Sequence, residues 1–275
     1  MGQWFAKYFA IHDSQVGIFS RRAKSDSLEK QLIARKFSDI NDCIENSDVI
    51  MVSVPIGRTA EVVSEVSKSC NKDKIIIEIA SLKESIFPSL RQVCDERGIM
   101  VLSIHPLFGP GANPMQQQRY AMIPVVSEAD EMQVFEEIFP DGMPTVITAE
   151  KHDLAMGYVL SLTHFVSIAF LLSIPEKEGL MKLSGTTFKL QLGLAQAILH
   201  DEPELLAMLE TDNNHFIDIL ETFTEKSNMI QSLVKRKDRV LLTKIITSLK
   251  EELKDDESFE SSYPLIYQIL DKRDE

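Results

Sequence analysis

Residues 74–80 read KIIIEIA, residues 83–97 read KESIFPSLRQVCDER and residues 99–104 read IMVLSI. The two apolar runs are continuous rather than alternating, which is the pattern of strands covered on both faces, and the segment between them has helical spacing. Strand, helix and strand in that order predict a parallel crossover. Working outward, Val16 to Ser20, Asp48 to Val54 and Tyr120 to Val126 read as further strands, and Asp39 to Asn46 and Thr59 to Ser69 as helices. Residues 1–148 are therefore expected to form a doubly wound α/β domain with a parallel sheet.

After about residue 150 the pattern changes. Glu150 to Ser173, Lys177 to His200, Glu204 to Val234 and Arg239 to Leu253 read as helices with no convincing strand, so residues 149–275 are expected to form an all-helical domain. Leu154 to Pro175 carries no Asp, Glu, Lys or Arg over 22 residues. Its serines and histidine, and flanks without a positive bias, favour a helix buried in a bundle or subunit interface over a membrane span. A homodimer is expected on that ground. The charged stretch KEELKDDESFE (250–260) reads as a solvated helix end or loop.

Composition narrows the function classes. The chain has 29 Lys and Arg against 42 Asp and Glu, a net charge of −13, and so acidic a surface repels nucleic acid and anionic lipid. Cys43, Cys70 and Cys94 are an odd number at no metal-ligand spacing, so neither disulfides nor zinc is indicated. The N-terminus lacks the pattern of a secretory signal, and a cytoplasmic protein is expected. His152 beside Asp153 reads as a helix N-terminal feature, and His12, His200 and His215 show no metal-site pattern.

A doubly wound, Rossmann-like domain usually opens with a strand, a G-x-G-x-x-G turn and a helix whose N-terminal amides hold a pyrophosphate. Here Gly2, followed by the helical QWFAKYFA, stands where the third glycine would stand. The first strand and two glycines have no counterpart in the sequence as given, so weak cofactor binding is expected of it. The end of the next strand reads Phe19-Ser20-Arg21-Arg22. A carboxylate there would bond a ribose hydroxyl, whereas Ser20, Arg21 and Arg22 suit a 2′-phosphate, which favours NADP over NAD.

Three stretches sit just past strand carboxyl ends, where ligands of open α/β sheets bind: Ser53-Val54-Pro55-Ile56, Ala80-Ser81-Leu82-Lys83 and His105-Pro106-Leu107-Phe108-Gly109-Pro110. Ser53, Val54 and Pro55 are candidate cofactor contacts. His105 can act as a general base near neutral pH, with Ser81 as a hydroxyl partner.

These residues resemble the prephenate and arogenate dehydrogenases of tyrosine biosynthesis. The Met-Gly opening, SVPI (53–56), IASLK (79–83), HPLFGP (105–110), EKHD (150–153) and LTHF (162–165) occur in that family's order. The resemblance implies oxidative decarboxylation of a small cyclic substrate with hydride transfer to NAD or NADP. It implies that His105 takes the substrate hydroxyl proton, that Ser81 orients His105 and touches that hydroxyl, and that His164 lines the substrate pocket. Where the family places an arginine for a substrate carboxylate, this chain has Lys189, which keeps the charge but loses the two-pronged contact. Two other readings remain: another two-domain hydroxy-acid dehydrogenase with Lys189 as acid or base, and a non-catalytic remnant that binds a small ligand.

Overall fold

The computed structural model describes residues 1–20, 34–174 and 177–271. The chain divides into two compact units, Met1–Met156 and Gly157–Glu275.

The first unit begins with helix α1 (Gly2–Ile11), followed by the short strands β1 (Gly17–Ile18) and β2 (Arg35–Lys36). Then come α2 (Ile40–Glu45), β3 (Val49–Val52), a 3₁₀ turn at Ile56–Arg58 and α3 (Thr59–Ser67). The remainder is β4 (Ile75–Glu78), α4 (Phe87–Arg97), β5 (Met100–Pro106), β6 (Gln118–Met122), α5 (Glu128–Ile138), β7 (Gly142–Val146) and α6 (Ala149–Met156). β3, β4 and β5 pair in parallel, with Val52 beside Glu78 and Glu78 beside Ser103. The doubly wound reading is thus borne out: a helix intervenes between each of these strands, as parallel pairing demands.

Three boundaries differ from the sequence reading. β6 runs antiparallel to β5, because residues 107–117 return to the sheet without a helix. The helix expected from Lys83 begins at Phe87 instead. Lys83 to Ile86 make a turn, with the amides of Ile86 and Phe87 donating to the Lys83 carbonyl at 3.2 and 2.9 Å. Strand β7 and helix α5 were not foreseen. They complete a five-stranded sheet in the order β3-β4-β5-β6-β7, while β1 and β2 pair separately. Among the described residues no strand joins β1 to β3, which is the place where a doubly wound sheet has its first strand.

α1 and α5 pack on this sheet through Trp4, Phe5, Tyr8, Phe135 and Phe139 against Ile77, Leu102, Ile104, Tyr120 and Met122, all buried. Trp4 also donates its indole N–H to the Ala112 carbonyl at 2.8 Å, tying α1 to the loop after HPLFGP. Gly142 belongs to this core: an added Cβ would lie 2.8 Å from Phe135 Cζ and 3.0 Å from the Phe139 carbonyl. Gly142→Ala should therefore cost about 1–3 kcal/mol by overpacking, read as a lower midpoint in urea at unchanged slope.

The second unit is helical throughout its described residues. A π-helical segment (Gly157–Leu162) leads into α7 (Thr163–Ser173), followed by α8 (Lys177–Lys182), α9 (Thr186–Ile198), α10 (Pro203–Thr211), α11 (Phe216–Arg236), α12 (Arg239–Glu252) and α13 (Glu257–Asp271). Two segments expected as single helices are each broken in two. Ser184 and Gly185 interrupt the first, Gly185 being extended where it caps α9. In the second, the Asn213 side chain accepts the His215 amide at 3.0 Å in a local turn before α11. The tail expected as a solvated helix end or loop is largely exposed and holds the end of α12 and the link that follows it, and it adds the start of α13. The apolar helix at 149–173 is long and apolar enough to cross a membrane by length and composition, and only 28% of its most apolar window is buried within the chain. The helix therefore buries only part of its surface within the chain; Tyr158, Val159 and Leu172 are exposed.

Candidate active site

The parallel register of β3, β4 and β5 brings their carboxyl ends side by side, so Ser53, Ser81 and His105 lie along one edge of the sheet. His105 is buried at the end of β5. Its Nδ1 lies 2.9 Å from Nε2 of His152 in α6, and Nδ1 of His152 lies 2.7 Å from Oδ1 of Asp153. The Asp153 carboxylate also accepts the Lys83 amide at 2.9 and 3.0 Å and the Glu84 amide at 2.9 Å. Ser81 is half-buried, and no hydrogen bond joins it to His105; the ring is held by His152.

Beneath this line lies a second polar cluster. Lys83, fully buried, donates from Nζ to Glu78 Oε1 at 2.5 Å and to the Ile104 carbonyl at 2.7 Å. Ser103 Oγ also donates to Glu78, whose other oxygen accepts the Ala80 amide at 2.8 Å. Burial pushes the Lys83 ammonium below its usual range, and Glu78 opposes that shift. His105 is pushed well below the ordinary histidine value, first by burial, then by His152 and Lys83. It is consequently a neutral imidazole at physiological pH, the form a general base requires.

The cofactor candidates separate into described and undescribed groups. Gly2 opens α1, which has no acidic residue in its first turn and no side-chain cap. A Cβ on Gly2 would stand 3.0 Å from Ser53 Oγ, so the structure brings these two candidates together and leaves helix amides beside a strand end. Ser53 and Pro55 are exposed and Val54 is half-buried; Ser20 is exposed just after β1. Arg21 and Arg22 lie outside the described residues. Uncapped amides at a close backbone approach fit the pyrophosphate of a dinucleotide.

In the second unit, His164 on α7 is buried with no hydrogen-bond partner for Nδ1 among the described residues, and burial lowers its pKa. Lys189 is exposed on α9. The sequence reading missed His152 and Asp153 as parts of the site. The signal available was the His-Asp dipeptide in the first turns of a helix that follows a strand.

An open α/β sheet with an uncapped helix N-terminus beside a strand carboxyl end is the arrangement of a dinucleotide-binding domain. Comparison with known proteins makes the assignment particular. The family model described as prephenate dehydrogenase, nucleotide-binding domain, matches residues 17–136, and that described as prephenate dehydrogenase, dimerization domain, matches residues 148–248. The chain belongs to the prephenate dehydrogenase family.

A probable arogenate/prephenate dehydrogenase of Methanocaldococcus jannaschii is 28% identical over 256 residues, covering 90% of this chain and 57% of that protein. The T-protein of Haemophilus influenzae is 23% identical over 229 residues, covering 81% of this chain and 60% of its own length. The chain thus spans between 57% and 60% of these two relatives. Among solved structures, prephenate dehydrogenase from A. aeolicus in complex with hydroxyphenyl propionate and NAD+ superposes with a TM-score of 0.75 at 20% identity, covering 93% of this chain and 94% of that one. Synechocystis arogenate dehydrogenase gives 0.68 at 16% identity, covering 92% and 95%. These structural likenesses support the fold.

Proposed function

We propose that the chain catalyses the oxidative decarboxylation of prephenate or arogenate, with NAD or NADP as hydride acceptor. The observation that carries this reading is His105: buried at a strand carboxyl end, pushed below the ordinary histidine value by burial, and bonded through Nδ1 to His152, which leaves Nε2 for the substrate. His105 Nε2 takes the proton of the ring hydroxyl as the carbonyl forms, and Ser81 contacts the same hydroxyl. The ring C–C bond to the carboxylate then breaks, carbon dioxide leaves, and its electron pair enters the ring and turns the carbonyl into a phenolic oxygen that takes the proton back from His105, so aromatisation makes the reaction effectively irreversible. His164 and Lys189 supply the substrate contacts of the helical region, Lys189 by charge to a carboxylate.

The dinucleotide, when bound, supplies the hydride acceptor. Gly2 and the α1 amides, with Ser53, Val54 and Pro55, would hold its pyrophosphate side. Ser20, Arg21 and Arg22 support the preference for NADP. Residues 1–148 form the nucleotide-binding domain on this reading, and residues 149–275 the substrate and dimerisation domain. The relatives' names support the substrate class, and the cytoplasm is the proposed compartment. The experiment is turnover of prephenate and arogenate with each cofactor, followed by nicotinamide absorbance. No turnover in any of the four combinations overturns the reading.

We further propose a homodimer paired through the apolar helix at 149–173. Its exposed Tyr158, Val159 and Leu172 leave apolar area uncovered within one chain. Sedimentation at micromolar concentration should show a dimer; a stable monomer would refute it.

A further inference from the structure

We propose that Asp153 and His152 are positioning residues that fix the proton arrangement of His105, so that its Nε2 carries the lone pair. The inference rests on the reading of His105 as the base. It starts from an asymmetry: an ionised carboxylate can only accept hydrogen bonds, whereas an imidazole can donate or accept at either nitrogen. Asp153 accepts the amides of Lys83 and Glu84 as well as His152 Nδ1, so the proton of that 2.7 Å contact belongs to His152. In a neutral His152 the remaining nitrogen, Nε2, is then an acceptor. The 2.9 Å contact to His105 must therefore be made with the proton on His105 Nδ1. Nε2 of His105 is left basic, and among the described residues it has no hydrogen-bond partner.

Each step of this chain is held from a different element. Asp153 and His152 sit on α6, His105 on β5, and the Lys83 and Glu84 amides on the turn after β4. Lys83 reaches both ends of the line. Its amide holds Asp153, and its Nζ holds the carbonyl of Ile104, the residue before His105. The three separated stretches IASLK, HPLFGP and EKHD are thereby parts of one device. A proton placed on His152 Nε2 would reverse the last bond, put N–H on His105 Nε2 and abolish the base.

Asparagine at position 153 tests this directly. Its carbonyl oxygen can still accept the two backbone amides, but its NH₂ would then face His152 Nδ1 and donate. That reverses both ring tautomers without removing a side chain. Replacement of an orienting carboxylate by its amide in a catalytic triad costs about 10⁴-fold in kcat through the wrong tautomer. Asp153→Asn should lower kcat by about 10²- to 10⁴-fold with KM and cofactor affinity nearly unchanged. Asp153→Glu should recover part of the loss. Because Asp153 acts through His105, the double variant His105→Asn/Asp153→Asn should be no slower than His105→Asn alone.

The proton positions are themselves measurable in the wild-type protein, without substrate, by nitrogen-15 NMR of the histidine rings. Spectra of His105→Asn and His152→Asn assign the two signals among the six histidines. Both rings are expected as the Nδ1–H form. A wild-type spectrum with His105 protonated at Nε2 overturns the proposal whether or not any variant folds. So does Asp153→Asn with wild-type kcat. Absence of turnover on both ring substrates, with both rings in the Nδ1–H form, would instead sink the proposed reaction and leave the proton arrangement standing.

Discussion

His105→Asn is expected to lower kcat by about 10²- to 10⁴-fold, the usual contribution of a positioned general base. The asparagine amide can occupy the place of ring Nδ1 and still donate to His152 Nε2, so the buried bond survives while the basic Nε2 disappears. Folding and cofactor affinity should change little, which separates loss of chemistry from loss of structure. The pH profile follows from the direction of the shift. With His105 held well below its ordinary value, kcat/KM should stay level through neutrality and fall only at acid pH. Stability has the same sense: the unfolded chain binds the proton near the ordinary value of about 6.5 and the folded chain does not, so stability drops as pH falls below that value. Steady-state turnover of purified wild type and variant decides the matter. Turnover within a few-fold of wild type on both ring substrates would remove His105 from the mechanism.

What the sequence disclosed, and what it withheld, divides along physical lines. Strands β3, β4 and β5 were legible because their runs are short, apolar on both faces and separated by helical spacing. Strand β7 was not: GMPTV carries a glycine and a proline and is half exposed, so neither period nor propensity marks it. The long helices were legible by period, but their breaks at Ser184-Gly185 and at Asn213 depend on single capping geometries. His105 could be singled out because it ends a buried strand. His152 and Asp153 could not, since their significance is a contact across 47 residues of chain that only the packing of α6 beside β5 creates. Lys83 was equally opaque. A lysine after ASL reads as the start of a helix, whereas the fold turns its side chain inward and places a turn at Lys83 to Ile86 before α4 begins at Phe87.

The inward Lys83 carries the second large effect. Its side chain and that of Glu78 are 1% and 0% exposed, so each charge depends on the other and on Ser103, Ala80 and the Ile104 carbonyl. Lys83→Met removes the cation and leaves the Glu78 carboxylate buried without its counter-charge, while the Ile104 carbonyl loses a donor. Removing one member of a buried pair costs about 3–5 kcal/mol, far more than the pair's net worth, because the survivor keeps its desolvation penalty. For a chain of this size that is a fall in Tm of roughly 6–20 °C. Adding Glu78→Gln should recover a large part of the loss. The amide is neutral, and its oxygen still accepts from Ala80 or Ser103, so no buried charge remains. Scanning calorimetry of wild type, Lys83→Met and Glu78→Gln/Lys83→Met tests the order. A single variant as stable as wild type, or a double variant less stable than the single, would mean that the buried charges are not coupled as their 2.5 Å contact requires. The order also bears on catalysis, since the carbonyl that Lys83 holds belongs to the residue before the base. A destabilised turn after β4 should loosen His105 itself, and Lys83→Met should lose kcat even at temperatures where it remains folded.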